Sequence, residues 1–365
     1  MPCSTRIAGM FAGAIAAVVL VAGGTGLTAQ VANNPYKVNY NWEKLEGRQI
    51  GVASGIKADP TGKYLWILDR CGANGCADSP LDPIIQVDME GKLVKSFGKG
   101  VMNFPHGFFI DGEGNVWVTD GAPNGDARGA AGFKKKIGHQ VYKFSADGKL
   151  LMTLGEAGVF GADEKHFNGP TGVVVADNGD IWVTDGHGGP GVGPNKDNMY
   201  RSRGGNNRLV RFSKDGKFLK QFGGAIGSEG YLPLQFNDPH DLARDAGGRL
   251  YVADRGNQRI QVLDKEGNFI TRWTQYGKPS AIAIDNKGNI YVADGMSDVS
   301  WNPGWERGIR IGDLKSGFVK AFIPDEELTR GAGTEFLGVD AQGRIFSGAS
   351  GRPGLVVHEL FRPLW

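Results

Sequence analysis

Residues 238–262 read DPHDLARDAGGRLYVADRGNQRIQV. The centre of that stretch decides the fold. Asp245-Ala246-Gly247-Gly248 is an Asp-x-x-Gly turn, with the Asp and Gly that a tight hairpin needs for positive φ. The flanks, DLAR before it and LYVAD after it, run apolar as strands do, and the second opens on an aromatic, Tyr251. The stretch is therefore a hairpin whose second strand carries an aromatic anchor.

Working outward, the same text recurs along the chain. It is found as KADPTGKYLWILD around Trp66, IDGEGNVWVTD around Trp117, ADNGDIWVTD around Trp182, IDNKGNIYVAD around Tyr291 and VDAQGRIFSGA around Phe346. With Tyr251 that makes six anchors, and second hairpins follow, such as VYKFSADGKLLMTLG and LVRFSKDGKFLKQFG. Four strands per repeat is the blade unit of a propeller, and an open sheet of some two dozen strands is implausible beside radial closure. The expected fold is an all-β six-bladed propeller of four-stranded blades. The 59 glycines in 365 residues agree with many tight turns. The last blade is expected to close on chain within residues 36–52.

The N-terminus reads as a secretory signal peptide over residues 1–29. Arg6 is followed by an apolar run from Ile7 to Ala22, then Gly23, Gly24 and Gly26, with Ala29 or Ala32 before a cleavage point. The run is short for a membrane span, although an uncleaved anchor is the alternative. Residues 30–45 read as a linker with a closing strand, and 46–365 as the propeller. Export to the periplasm or medium fits Cys71 and Cys76, which flank one glycine-rich loop and are expected to form a local disulfide; two cysteines alone make an incomplete metal site. The net charge of +2 gives no nucleic-acid surface, and Lys134-Lys135-Lys136 is a solvated loop. A monomer with no membrane contact after cleavage is expected.

In a propeller the entry to each first strand and the exit from each second strand share one face. Eleven residues before each anchor stand Gly55, His106, Thr171, His240, Ser280 and Glu335. His106, His240 and Glu335 fall in alternate blades, about 120° apart, and two imidazoles with one carboxylate are a ligand set for zinc or another divalent transition metal. For each histidine alone, local packing is the plainer reading. Three residues past the anchors stand Asp69, Asp120, Asp185, Asp254 and Asp294, read as structural acceptors of backbone N–H groups between blades. Arg70 and Arg255 follow in blades one and four, facing across the channel mouth, where they suit an anionic substrate or serve as plain ion pairs. Long insertions at 70–83, 121–139, 186–206 and 295–307 bring His187, Tyr200, Arg201, Arg203, Trp301 and Trp305 to the same face. Tyr200 or His187 is the candidate acid or base. His139, His166 and His358 have no equivalents and no assigned role.

The repeats resemble NHL propellers, and more closely the peptidyl-α-hydroxyglycine α-amidating lyases. FPHGFFIDGEGNVWVTD around His106, GPTGVVVADNGDIWVTDG around Thr171 and the opening stretch around His240 carry the likeness over roughly residues 50–350, with Arg70 matching in place. The resemblance implies a zinc held by three histidines, a tyrosine base, arginines at the substrate, and carbon–nitrogen cleavage to a peptide amide and glyoxylate. His106 and His240 match two ligands, the third place falls on Glu335, Arg70 and Arg255 match the arginines, and the tyrosine's place after TDG holds His187. The expected function is a secreted metal-dependent lyase acting on a peptide or small molecule with an anionic group. The alternatives are a non-enzymatic propeller binding protein or glycan through its looped face, and a lactonase-type hydrolase, which the two histidines disfavour.

Overall fold

The structure is a computed structural model that describes residues 34–40, 42–121, 134–187, 205–224, 230–300, 302–325 and 333–364. The described strands form six four-stranded antiparallel sheets, the expected all-β six-bladed propeller. The inner strands are Ala53–Ala58, Pro105–Ile110, Pro170–Val175, Pro239–Arg244, Ala281–Ile284 and Thr334–Val339. Each lies against the next, and the sixth returns to the first, so the ring closes. Blade six takes its fourth strand from Tyr36–Asn39, paired antiparallel with Arg352–Leu360.

The repeated text explains both the hairpin and the core. At the turn glycine φ is positive in every blade, from 70° at Gly62 to 88° at Gly343, which only glycine adopts freely. The turn aspartate then holds the aromatic anchor: Trp117 Nε1 donates to Asp111 Oδ2 (2.9 Å), and the Tyr251 and Tyr291 hydroxyls donate to Asp245 Oδ2 (3.1 Å) and Asp285 Oδ2 (2.9 Å). Every anchor is buried, at 2% exposure or less. Each joins one of six apolar clusters, and each cluster fills the wedge between two adjacent blades, with Trp66 between blades one and two and Phe346 between six and one. Burying such rings dominates the stability of each wedge.

The repeated aspartates are structural, but they act within a blade. Asp69 accepts from Gly51 N–H, Asp120 from Asn103 and Phe104, Asp185 from Asn168 and Asp254 from Asn237, each donor lying on the segment entering the same blade's inner strand. Arginines pair with four of the five: Arg48–Asp69, Arg208–Asp185, Arg259–Asp254 and Arg310–Asp294. Gln140 stands opposite Asp120, where Arg208 and Arg259 stand in their blades, and burial pushes the Asp120 carboxyl up to about 6. Cys71 and Cys76 form the expected disulfide, with Cα atoms 5.2 Å apart.

One irregularity positions the site. Pairing of the first two strands slips between Ala53 and Gly55, Pro105 and Phe108, Pro170 and Gly172, Pro239 and Asp241, and Thr334 and Phe336. These are bulges, and a bulge re-aims a side chain. The re-aimed residues include His106, Thr171, His240 and Glu335. In blade one the bulged residue is Ser54, not Gly55, because its hairpin is one residue longer: Trp66 pairs with Lys57, whereas Tyr251 pairs with Ala243.

Candidate metal centre

The bulges of blades two and four carry His106 and His240 to the channel mouth, and the exit of blade three's second strand, Ile181–Asp185, carries His187 beside them. The ring centroids lie 4.6 Å apart for His106–His240, 5.1 Å for His106–His187 and 5.0 Å for His187–His240. All three side chains are buried.

Each ring is fixed through Nδ1. His106 Nδ1 meets Thr171 O at 3.0 Å and His240 Nδ1 meets Ser280 O at 2.8 Å, so the small residue at each next blade's entry holds the preceding blade's imidazole. His187 Nδ1 meets Asp238 Oδ1 at 3.1 Å. A carbonyl only accepts, so the Nδ1 atoms of His106 and His240 donate and their Nε2 atoms keep the lone pair, the state in which imidazole binds a metal; His187 Nδ1 lies between Asp238 Oδ1 and Arg255 Nη2 (3.3 Å). Burial first, then the neighbouring imidazoles and Arg70, hold His106 well below the usual histidine range, and burial brings His187 down to about 3 despite Asp238. Both are neutral at ordinary pH.

The residues fit a cation. His106 Nε2 and His240 Nε2 are buried without a hydrogen-bond partner. Glu335 Oε1 approaches His240 Nε2 to 3.2 Å, but without hydrogen-bond geometry. Two acceptors at that distance repel unless a positive charge sits beside them. The three histidines place a ligand atom each within 4.8 Å of one another.

The trio differs from the expected set of His106, His240 and Glu335. The third imidazole is His187, from blade three, and Glu335 is held beside the trio by Arg255 Nη1 (3.1 Å). Burial raises the Glu335 carboxyl, but the charges of Arg255 and Arg70 oppose it, and the group is held well below its usual range. His187, expected as an acid or base, faces the other histidines, with its Nδ1 taken by Asp238.

Both arginines are buried at this mouth, at 2% exposure each. Arg70 donates from Nε to Pro105 O (3.0 Å) and from Nη1 to Asn74 Oδ1 (2.8 Å), and stacks on Phe104 at 3.6 Å. Arg255 grips Asp238 Oδ2 with Nε (2.9 Å) and Nη2 (2.8 Å). A continuous chain results: His187, Asp238, Arg255, Glu335, His240. Asp238 is the member that sequence reading missed. It sits at φ 51°, a strained value for a residue other than glycine, which the fold over-determines by the Asn207 Oδ1 contact to its N–H (2.8 Å) and the Arg255 fork. Its only signal was a carboxylate before the Pro-His pair. Tyr200, Arg201, Arg203 and Trp301 lie outside the described residues, as does the expected signal peptide. Trp305 packs under Arg310, at 4.8 Å, as a rim aromatic.

With this geometry in hand, the chain can be set beside known proteins. The NHL repeat family model matches residues 167–189 and 236–263, the very hairpins that carry His187 and His240. The chain carries NHL repeats on a six-bladed propeller. NHL repeat-containing protein 3 of Homo sapiens is 30% identical over 274 residues, covering 73% of this chain and 64% of that protein. A Caenorhabditis elegans protein named probable peptidyl-alpha-hydroxyglycine alpha-amidating lyase is 34% identical over 202 residues, covering 54% of this chain and 48% of its own. The matches thus span less than two thirds of either relative's length. A gluconolactonase of Xanthomonas campestris shares the fold, with a TM-score of 0.57 at 16% identity over 89% of this chain and 90% of that one. The chain is therefore similar to the amidating lyases in its repeats.

Proposed function

We propose that this chain is an exported, monomeric, metal-dependent carbon–nitrogen lyase of the amidating type. Its substrate is a peptide, or a small molecule, ending in an α-hydroxy acid with a free carboxylate. The observation that carries this reading is the pair of buried, unpartnered nitrogens, His106 Nε2 and His240 Nε2, beside His187 and between two arginines.

His106, His187 and His240 would hold zinc or another divalent transition metal, which supplies a Lewis acid that lowers the pKa of a coordinated hydroxyl. The side chains around the trio carry two guanidinium and two carboxylate charges, Arg70 and Arg255 against Asp238 and Glu335. Those four cancel, so a bound divalent cation leaves the mouth positive and selects an anion. Arg70 and Arg255 orient the substrate carboxylate. Glu335, beside His240, would accept the hydroxyl proton, and Tyr200 is the other base expected from the sequence. Loss of that proton and cleavage of the carbinol carbon–nitrogen bond return the electron pair to nitrogen, which takes up a proton. The products are an amide and glyoxylate.

Metal analysis of the purified protein tests the reading, with one transition-metal ion per chain expected and none in the His106→Ala, His240→Ala double variant. Glyoxylate release from an α-hydroxyglycine peptide is expected only with metal bound. A chain without stoichiometric metal overturns the reading in favour of a binding propeller. Metal without glyoxylate assigns the site a different reaction.

A further inference from the structure

The channel has a second mouth, at the far ends of the inner strands. There the six blades line a void of about 220 Å³ that opens to solvent. Its wall is apolar, with Phe109, Ile110, Val174, Leu242, Ile284 and Val339 among the lining side chains. Two cations interrupt it, Lys57 from blade one and Arg244 from blade four, and no carboxylate lines it. Blades one and four face each other across a six-fold ring, so the two charges straddle the opening.

Arg244 is only partly engaged. Its Nη2 meets Asp177 at 2.5 Å, but the Asp177 side chain is 78% exposed, and an ion pair that water screens holds weakly. Its Nε is buried without a hydrogen-bond partner. The side chain as a whole is 18% exposed and lines the void, so its outer N–H groups can meet a carboxylate oxygen there. Lys57 lines both this void and the smaller cavity beneath His106 and His240, so its charge stands at the neck between them. Asp241 also lines the smaller cavity; burial pushes its carboxyl up, Lys57 opposes the rise, and its Oδ2 accepts Ile282 N–H (2.9 Å).

We propose that this mouth is a binding site for an aliphatic carboxylate, its head between Arg244 and Lys57 and its tail on the apolar wall. The site is independent of the chemistry at the histidine mouth.

Calorimetric titration of the full chain with octanoate tests it. Saturable one-to-one binding is expected, about tenfold weaker for hexanoate, which lacks two methylenes. Binding is also expected to be at least tenfold weaker for 1-octanol, which lacks the charge, and at least tenfold weaker for octanoate in Arg244→Met. Lys57→Met is the second variant, with the same expectation, and circular dichroism shows that each is folded. Octanoate that fails to saturate at millimolar concentration overturns the proposal. So does octanol binding as well as octanoate, or undiminished affinity in both folded variants. Octanoate affinity lost in His106→Ala but kept in Lys57→Met places the ligand at the other mouth and equally overturns it.

Discussion

The two mouths of one channel are built from the same six strands and differ in almost everything else. Each receives a pair of cations from blades one and four, Arg70 and Arg255 at one end and Lys57 and Arg244 at the other. At the histidine mouth Arg255 belongs to a closed polar network with Asp238, Glu335 and two imidazoles. At the far mouth the cations stand in an apolar wall. The cause lies in the strands. Each of five inner strands enters through a bulge that turns a polar side chain into the channel, and leaves in regular pairing that presents Phe, Ile, Leu and Val. The long loops follow the second strands, so they fall at the bulged end. Chemistry gathers where bulge and loop coincide.

That contrast can be broken from its frame. Asp185 holds the entry segment of blade three and the buried Arg208, which also donates to the carbonyls of Ala162 and His166. Asp185→Asn leaves that guanidinium without its counter-charge and should lower stability by about 3–5 kcal/mol, read as a shifted urea midpoint. Asp120→Asn should shift it far less, because Gln140 and not an arginine stands opposite. Equal shifts would refute this account of the buttress. The contrast is sharpened next by Asp238→Asn, which keeps the shape but takes the charge that holds His187. Metal affinity should fall about 10–100-fold in a chelator competition, while octanoate binding at the far mouth stays unchanged. Arg70→Lys then removes a planar group stacked on Phe104 but keeps the charge. The KM for an α-hydroxyglycine peptide should rise about tenfold with kcat little altered, the mark of a lost binding contact.

Legibility in the sequence followed periodicity. The blades, their aromatic anchors and the positions of His106 and His240 repeat at fixed offsets, and a fixed offset survives folding. The eleven-residue offset slips by one in blade one, where the first hairpin is longer and Ser54 takes the place assigned to Gly55. His187 was seen as a loop residue of the right face but not as a member of the trio, because it reaches the site from a strand exit and obeys a different offset. Asp238 has no counterpart in the other blades and was invisible to any ruler. The same holds for Glu335: its offset was right, while its partner, Arg255, is fixed by packing across two blades. Nothing in the repeat pointed to the far mouth, since apolar residues at inner-strand ends read as ordinary core.

The smallest expected effect separates the mouths by pH. His139 sits in blade two's exit loop on the histidine face, at φ 60°, accepting Gly169 N–H through Nδ1 (3.3 Å). Burial brings it down to about 4 from its ordinary 6.5. The unfolded chain therefore takes up a proton below pH 6.5 that the folded chain refuses until about pH 4. Its contribution to stability is present above 6.5 and falls away with acid, at about 1.4 kcal/mol per pH unit. Asn tolerates positive φ and does not titrate there, so His139→Asn should shrink the loss of unfolding free energy between pH 7 and 5.5 by about 1 kcal/mol. Octanoate binding at the far mouth should hold until the ligand's own carboxyl protonates. An acid loss of stability unchanged in His139→Asn would mean that the ring is hydrated in the folded chain, and that the histidine face is less tightly closed than its hydrogen bonds imply.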